Sequence, residues 1–390
     1  MAIISSFGTS SQHINSDASG RTRASLMTTI FDGKTLGADD TFIWENVGTG
    51  TGTWSGNKYN LAVTPGQYQI RRGKITTPYF SGKSHLVEMT LDTFAVQENV
   101  IKMVGYFTSS PNAPYNTVYD GFWLESDGTT ICLKIYNNGI EIANIPWTSW
   151  DNYASLSNYN WNNFTVVLFD FLWLGGTELR FFIKTNDGYI LAHTYKHAGN
   201  ANGVFILSPN KSVRYEVRSS TGTGQLNAMC SQVSTEGSNS EDGKNLVIYN
   251  PSAITTNTVG TIYALKGIKK VAAYRDTAIA ITASLATNAT QNDTGMIMLI
   301  INPTLSAPLT YAANSRISSG TATNQTITSG TGRVIMAIPS GTTGSNFALN
   351  DTYLSSIGMS IADVSDEIVL AYMPTSANQS VFGAIIVKEY

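Results

Sequence analysis

The sequence predicts an all-β protein made of two sandwich-like domains in series. Three observations predict it. Apolar and polar residues alternate at the two-residue period of a strand in one short run after another. The runs are divided by hairpin chemistry such as Asn137-Asn138-Gly139 and Asn186-Asp187-Gly188, where Asn and Gly tolerate positive φ. No stretch carries a convincing helical stripe. Repeated short hairpins of this kind argue for an antiparallel sandwich or jelly roll.

Residues 1–30 are polar, with Ser5-Ser6, Ser10-Ser11-Gln12 and Ser16–Gly20, and read as an extended N-terminal arm. The first domain, 31–218, follows. Its strands are Gln67–Ile70 closed by Gly73, Leu86–Phe94, Val100–Phe107, Ile131–Tyr136, Ile140–Ile145 and Tyr189–Tyr195. Leu179, Phe181 and Ile183 alternate with Arg180, Phe182 and Lys184 in one more. Gly48–Gly56, where glycine alternates with threonine around Trp54, reads as a flexible hairpin loop. The composition changes near residue 220: all seven tryptophans lie at or before Trp173 and all four histidines at or before His197. Residues 219–244, rich in Ser, Thr, Gly, Gln and Asn, read as a linker. The remainder, 245–390, is a second β-sandwich with strands at Leu246–Tyr249, Ala278–Ala283, Met296–Ile301, Arg333–Ile338, Ile368–Tyr372 and Val381–Val387. One helical turn is expected, at Asp351–Gly358, and no short-period repeat is present.

The 390 residues suffice for two domains with cores of their own, and 42% of them are hydrophobic. Only 13% are charged, about half the roughly 25% of an ordinary soluble domain. Hydroxyls and amides fill the gap, which suits faces that pack on other subunits, because burying a hydroxyl costs less than burying an unpaired charge. The net charge of −3 and the isolation of the pairs Arg71-Arg72 and Lys269-Lys270 argue against a nucleic-acid partner. The longest apolar runs, Phe164–Leu174 and Met296–Ile301, are shorter than the ~18–20 residues that span a bilayer. Met1–Ile30 has no apolar core of signal-peptide length, so neither a membrane partner nor a cleaved signal is expected. Cys132 and Cys230 read equally as free thiols or as one bridge, without a disulfide framework, which points to assembly in a reducing cytoplasm.

Catalytic patterns are sparse. Glu88 and Asp92 share a strand face but lie ~13 Å apart along it, beyond the ~5–9.5 Å that glycoside hydrolysis needs. His193 and His197 follow a hairpin strand with no glutamate between them and read as surface histidines rather than zinc ligands. No nucleophile elbow is present. Gly82-Lys83-Ser84 has Thr77 where a phosphate loop needs its first glycine. Asn239–Asp242 and Asn292-Asp293 lack the spacing of a calcium loop, so no metal and no cofactor are expected. One stretch supports binding. Trp147, Trp150, Tyr153, Tyr159 and Trp161 are interleaved with Asp151, Asn152, Asn158, Asn160, Asn162 and Asn163. Flat rings stack on the C–H faces of sugars while Asn and Asp take the hydroxyls; the same residues also read as core rings and turn-forming asparagines.

The order of several segments is familiar. Gly73–Phe80, Gly105-Tyr106-Phe107, Asp120–Ser126, Phe169–Gly176, Leu179-Arg180-Phe181 and His193–Asn200 together resemble tailed-bacteriophage virion proteins with a concanavalin-like jelly-roll domain. The C-terminal half is similar to a β module that ends such proteins, through Ile301–Leu305, the Ser-Gly stretch at 318–332, Leu354–Ser360, Val364–Leu370 and the closing Lys388-Glu389-Tyr390. The resemblance covers roughly residues 30–390 and carries no catalytic residues over. It implies a virion protein assembled in the host cytoplasm: a decoration, cement or short-fibre subunit that binds other virion proteins. A homo-oligomer is expected, a trimer first. The alternatives are a receptor-binding fibre protein contacting host surface glycans and, last, a glycan depolymerase. The long repetitive shaft of a trailing fibre is missing, which favours a compact subunit.

Overall fold

The computed structural model describes every residue except 1–15, 19, 24–26, 35–36, 175, 238–242, 251, 289–293, 341–344 and 349–355, and the backbone alone at 280, 282–288 and 345–348. The chain divides into two compact units, Met1–Ser240 and Glu241–Tyr390.

The first unit begins with β1 (Met27–Gly33), β2 (Trp44–Gly48), β3 (Thr51–Ser55), β4 (Lys58–Val63) and β5 (Tyr68–Gly73). It continues with β6 (His85–Asp92), β7 (Val100–Thr108), β8 (Asp120–Ser126), β9 (Ile131–Asn137) and β10 (Ile140–Pro146). The last strands are β11 (Thr165–Leu172), β12 (Glu178–Thr185), β13 (Gly188–Lys196), β14 (Val213–Ser219) and β15 (Gly224–Glu236). Sheet I has the order β13-β12-β11-β6-β15-β4-β3, with β1 also on β15; sheet II has the order β10-β9-β8-β7-β14-β5-β2. The chain passes back and forth between the sheets, so that β6 lies between β11 and β15 and β7 lies against β14. This is a concanavalin-like jelly-roll sandwich, antiparallel throughout, as the sequence predicts.

Alternation sets which face is core. In β6 every second residue is buried, with Val87, Met89 and Leu91 facing inward. They meet the inner face of sheet II, where Phe122 packs on Phe169 and Phe171 at 5.3 and 5.1 Å. The core also takes a charge. Arg71 is fully buried between the rings of Trp44 and Tyr59 at 4.4 and 4.3 Å and pairs with Asp39. The Asn137–Gly139 hairpin forms as expected, with Asn138 at φ 46° and Gly139 at φ 85° joining β9 to β10.

Three expectations need correction. Residues 219–244 are not a linker: β15 occupies 224–236 and hydrogen-bonds β1, β4 and β6. Its Leu226, Ala228 and Val233 are core, and its serine hydroxyls are used, Ser231 bonding Tyr215 at 2.8 Å and Ser234 accepting from Gln232 at 2.6 Å. A Ser/Thr-rich strand between two others reads as a linker only when its partners are unknown. The described part of the expected arm, 16–30, is strapped to the first unit. Asp17 is buried and accepts from Arg21, and Arg23 reaches Asp170 at 2.6 Å and Glu236 at 2.7 Å. Gly48–Gly56 is a hairpin, but 51–55 is a paired strand rather than loop.

The second unit contains β16 (Lys244–Tyr249), β17 (Ile254–Thr256), β18 (Ile262–Lys270), β19 (Ile279–Asn288), β20 (Gly295–Ile301) and β21 (Thr310–Asn314). It closes with β22 (Ile317–Thr321), β23 (Thr326–Ile327), β24 (Arg333–Ser340), β25 (Ser345–Ala348), β26 (Glu367–Pro374) and β27 (Gln379–Glu389). Sheet III has the order β16-β27-β19-β25 with β17 on β27; sheet IV has the order β21-β22-β18-β26-β20-β24 with β23 on β18. The sheets meet closely: a Cβ on Gly383 would lie 2.8 Å from Leu265 Cβ. The expected helical turn at 351–358 lies outside the described residues apart from 356–358, which are not helical.

Candidate functional site on the outer face of sheet II

Register decides what gathers on the outer face of sheet II. Arg214 lies opposite Gly105, and Gly105 opposite Trp123. One row further, Glu216 lies opposite Met103, and Met103 opposite Glu125. Two strand spacings therefore separate the two glutamates, about 10 Å between Cα atoms. Met103, Phe107 and Trp123 form an apolar layer here, with Tyr119 and Tyr136 packed on it. Gly105 makes room for it, since a Cβ there would fall 2.5 Å from Trp123 Cα.

The polar groups are spoken for. The indole N–H of Trp123 donates to Glu125 at 2.8 Å, and Lys134 stands 3.5 Å from both Glu125 and Glu141. Tyr136 donates to Glu141 at 2.8 Å. Burial pushes the Glu125 carboxyl above its usual range, against the opposing pull of the Trp123 N–H and Lys134. Glu216 has no exposed surface and is ion-paired by both Arg214 and Arg218. The segment 109–119 lies over it: Arg214 donates to Ser109 at 2.7 Å and to the Tyr115 carbonyl at 3.1 Å, and Arg218 to the Pro114 carbonyl at 2.8 Å. Tyr119, its hydroxyl pushed up to about 12 by burial, packs at a tilt 5.3 Å from Trp123. Glu125 and Glu216 face the same side of the sheet, but Glu216 is capped by two guanidiniums and closed off from solvent.

The aromatic stretch at 147–161 divides. Trp150 is buried, edge-on to Phe181 at 5.1 Å, and donates to the Ile145 carbonyl. Trp161 is buried against Phe94 at 5.9 Å. Tyr159 bonds Thr165 at 3.2 Å and packs on Trp161. A buried ring cannot offer its face to a sugar, so Trp150 and Trp161 are removed from the candidate site and serve the core. Trp147 and Tyr153 remain half-buried, edge-to-face at 5.4 Å. The neighbouring asparagine and aspartate bond backbone, Asn152 to the Leu191 carbonyl and Asp151 from the Thr194 N–H.

The histidines do not converge. His193 stands 3.2 Å from Asp151, while buried His197 bonds Tyr195 and the Gly203 carbonyl. His197 is therefore a structural residue and not the surface histidine that the sequence suggests. Among the described residues no group of three metal-ligating side chains is found; the Asn239–Asp242 and Asn292-Asp293 segments lie outside them. Cys132 and Cys230 are both free, and burial raises the Cys132 thiol to about 11.

No protein-family model matches the chain, and no curated protein matches it. Among solved structures it is similar to a β-glucanase of Bacillus licheniformis, at 16% identity over 54% of this chain and 99% of that one, with a TM-score of 0.37. It is similar to a seed lectin of Lotus tetragonolobus, at 10% identity over 54% and 99% of the two chains, with a TM-score of 0.34. A protein of unknown function from Shewanella oneidensis gives 11% identity over 56% and 94%, with a TM-score of 0.37.

Proposed function

We propose that the chain is a non-enzymatic structural subunit on the surface of a tailed-bacteriophage virion, a decoration, cement or short-fibre component that self-associates and binds other virion proteins. The resemblance of residues 30–390 supports the setting. The observation that carries the assembly role is the outer face of sheet III. Val247 and Tyr249 on the edge strand β16 are 62% and 63% exposed. They lie opposite Ile386 and Ala384 of β27, with Phe382 further along the same face. An exposed apolar strip on a strand that, among the described residues, has no partner on its outer edge is a surface that another subunit covers. The sealing of Glu216 supports the absence of hydrolysis.

Light scattering on the purified chain and quantification of its copies in purified particles test this together. An oligomer that a Val247→Lys/Tyr249→Lys variant converts to monomer, with the chain present on particles, is expected. A monomeric wild type, or absence from particles, overturns the proposal, as does sugar release from host polysaccharide.

A second reading, contact with host surface glycans, is favoured by the half-exposed Trp147–Tyr153 pair, whose apolar rings suit the C–H face of a sugar. Loss of glycan binding in Trp147→Ala with intact folding would support that reading; unchanged binding removes it.

A further inference from the structure

Past the sealed glutamates, the outer face of sheet II ends in an open cavity of about 350 Å³, within the size of small-molecule sites. Its lining is built by register. Arg218 of β14 lies opposite Ile101 of β7, and the turn that begins at Asp127 follows β8 on the other side. Ile101, which lies between them, is an exposed apolar side chain, 37% accessible. Glu98, Thr129 and Ser220 complete the polar lining used here.

The chemistry of that lining is specific. The Oδ1 atom of Asp127 accepts from the Thr129 N–H at 2.8 Å, the Thr129 hydroxyl at 2.7 Å and the Thr130 N–H at 2.8 Å. Oδ2 takes part in none of these and is an acceptor to spare. Burial works to raise this carboxyl, and the donors of Thr130 and Thr129 outweigh it, leaving it below its ordinary value and ionised. Glu98 is exposed. Arg218 is held rigidly: its Nε bonds Glu216, its Nη2 bonds the Pro114 and Tyr115 carbonyls, and its guanidinium stacks 5.1 Å over Tyr68. Nη1 takes part in none of these and is a donor to spare. Glu216 is shared between Arg214 and Arg218, so the charged lining, Glu98 and Asp127 against Arg218, is net negative by one charge. It therefore repels carboxylate and phosphate ligands. It offers two charged acceptors, a fixed donor and two hydroxyls around one apolar side chain.

We propose that this cavity is a binding site for a neutral sugar, a single hexose unit of a glycan. Its C–H face rests on Ile101, two of its hydroxyls donate to Asp127 and Glu98, and another accepts from Arg218. The inference shares its ligand class with the glycan reading above but places the sugar elsewhere, so each stands or falls by its own variant.

Saturation-transfer NMR on the full chain tests it. The probes are galactose, glucose, mannose and N-acetylglucosamine, with N-acetylneuraminic acid and glucosamine as charged controls, each up to roughly ten millimolar. Transfer to at least one neutral sugar is expected. It should be abolished by Ile101→Arg, which fills the cavity from an exposed position that folding tolerates. Glu98→Gln should weaken it about tenfold through loss of one charge-assisted hydrogen bond. Val334→Ala, at an exposed position of the second unit, should leave it unchanged. Transfer to no neutral sugar, transfer to charged sugars alone, or transfer that survives Ile101→Arg overturns the proposal. Loss in Trp147→Ala instead would transfer the glycan to the other patch and equally overturn it.

Discussion

Lys102 lies on the inner face of sheet II, 1% exposed, and donates to the Thr93 and Ala95 carbonyls at 2.7 and 3.0 Å. Among the described residues no carboxylate pairs with it, and burial lowers its ammonium from 10.5 to about 8. That displacement corresponds to about 3 kcal/mol of destabilisation whenever the side chain is charged in both states. Below pH 8 the folded and unfolded chains both hold the proton, and the full penalty applies. Between pH 8 and 10.5 the unfolded chain still holds a proton that the folded chain has released. The unfolded state then binds more protons, and stability rises with pH. About 2 kcal/mol of the penalty should be recovered between pH 7.5 and pH 10. Lys102→Met removes the titration and leaves two carbonyls without their donor. The assay is urea unfolding of wild type and variant across that range, reading the difference between them so that other titrations cancel. The wild type should gain on the variant by about 2 kcal/mol. A difference that stays flat with pH, or narrows in the other direction, would show that Lys102 keeps its charge in the fold and would refute the reasoning.

Three further outcomes are expected. Asp170 has no exposed surface and is gripped by Arg23 and Arg180, with Ser84 donating to it; Asp170→Asn should cost about 3–5 kcal/mol by leaving buried guanidiniums uncompensated, seen as a lower melting point of the first unit. The same variant should release the strap at residues 16–23, so that limited trypsin cuts after Arg21 or Arg23 faster than in wild type. Trp150→Ala should destabilise by about 3–5 kcal/mol as a core cavity, whereas Trp147→Ala should stay within about 1 kcal/mol, measured by denaturant unfolding of the two side by side.

The strands were legible because their alternation is local. Leu179, Phe181 and Ile183 are buried as their spacing predicts, and Asn138 and Gly139 turn where their φ preference allows. What sequence could not supply was register and strand order. Glu125 belongs to a segment that reads plainly as a strand, but its neighbourhood with Glu216 depends on β14 returning beside β7 after more than a hundred intervening residues. Spacing along one strand brings up Glu88 and Asp92, too far apart, and does not reveal two acids on different strands of one sheet. The aromatic stretch reads both ways for the opposite reason. Trp, Tyr and Asn in close succession look alike in a ligand patch and in an irregular segment packed on a sandwich, and only Phe94 and Phe181, distant in sequence, decide that Trp161 and Trp150 face inward. The units divide at Ser240, inside the expected boundary region, but the linker reading of 224–236 failed because hydroxyl-rich composition does not distinguish a linker from a strand whose serines find partners.

The two acids of sheet II bear on whether this sandwich could hydrolyse a sugar. Hydrolysis needs one carboxyl to give a proton and the other to take a share of developing positive charge, both within reach of a sugar. Glu125 has the raised proton affinity of an acid, but its partner Glu216 spends both oxygens on Arg214 and Arg218, whose remaining donors hold segment 109–119 in place. Freeing Glu216 therefore dismantles the cover and strands a buried charge in one step. Arg214→Met should cost about 3–5 kcal/mol and loosen segment 109–119 without producing hydrolysis. Arg214 is itself stacked 4.9 Å over Phe107, so part of that loss is packing, and Arg214→Lys, which keeps the charge, should recover less than half of it. Unfolding measurements together with hydrogen exchange of residues 109–119 read both effects. If Arg214→Met leaves stability and exchange unchanged, the seal is decorative and the face is open to substrate. In that case Glu125 and Glu216 become candidates for an acid pair, and sugar release by the variant would be the observation that reverses the non-enzymatic reading.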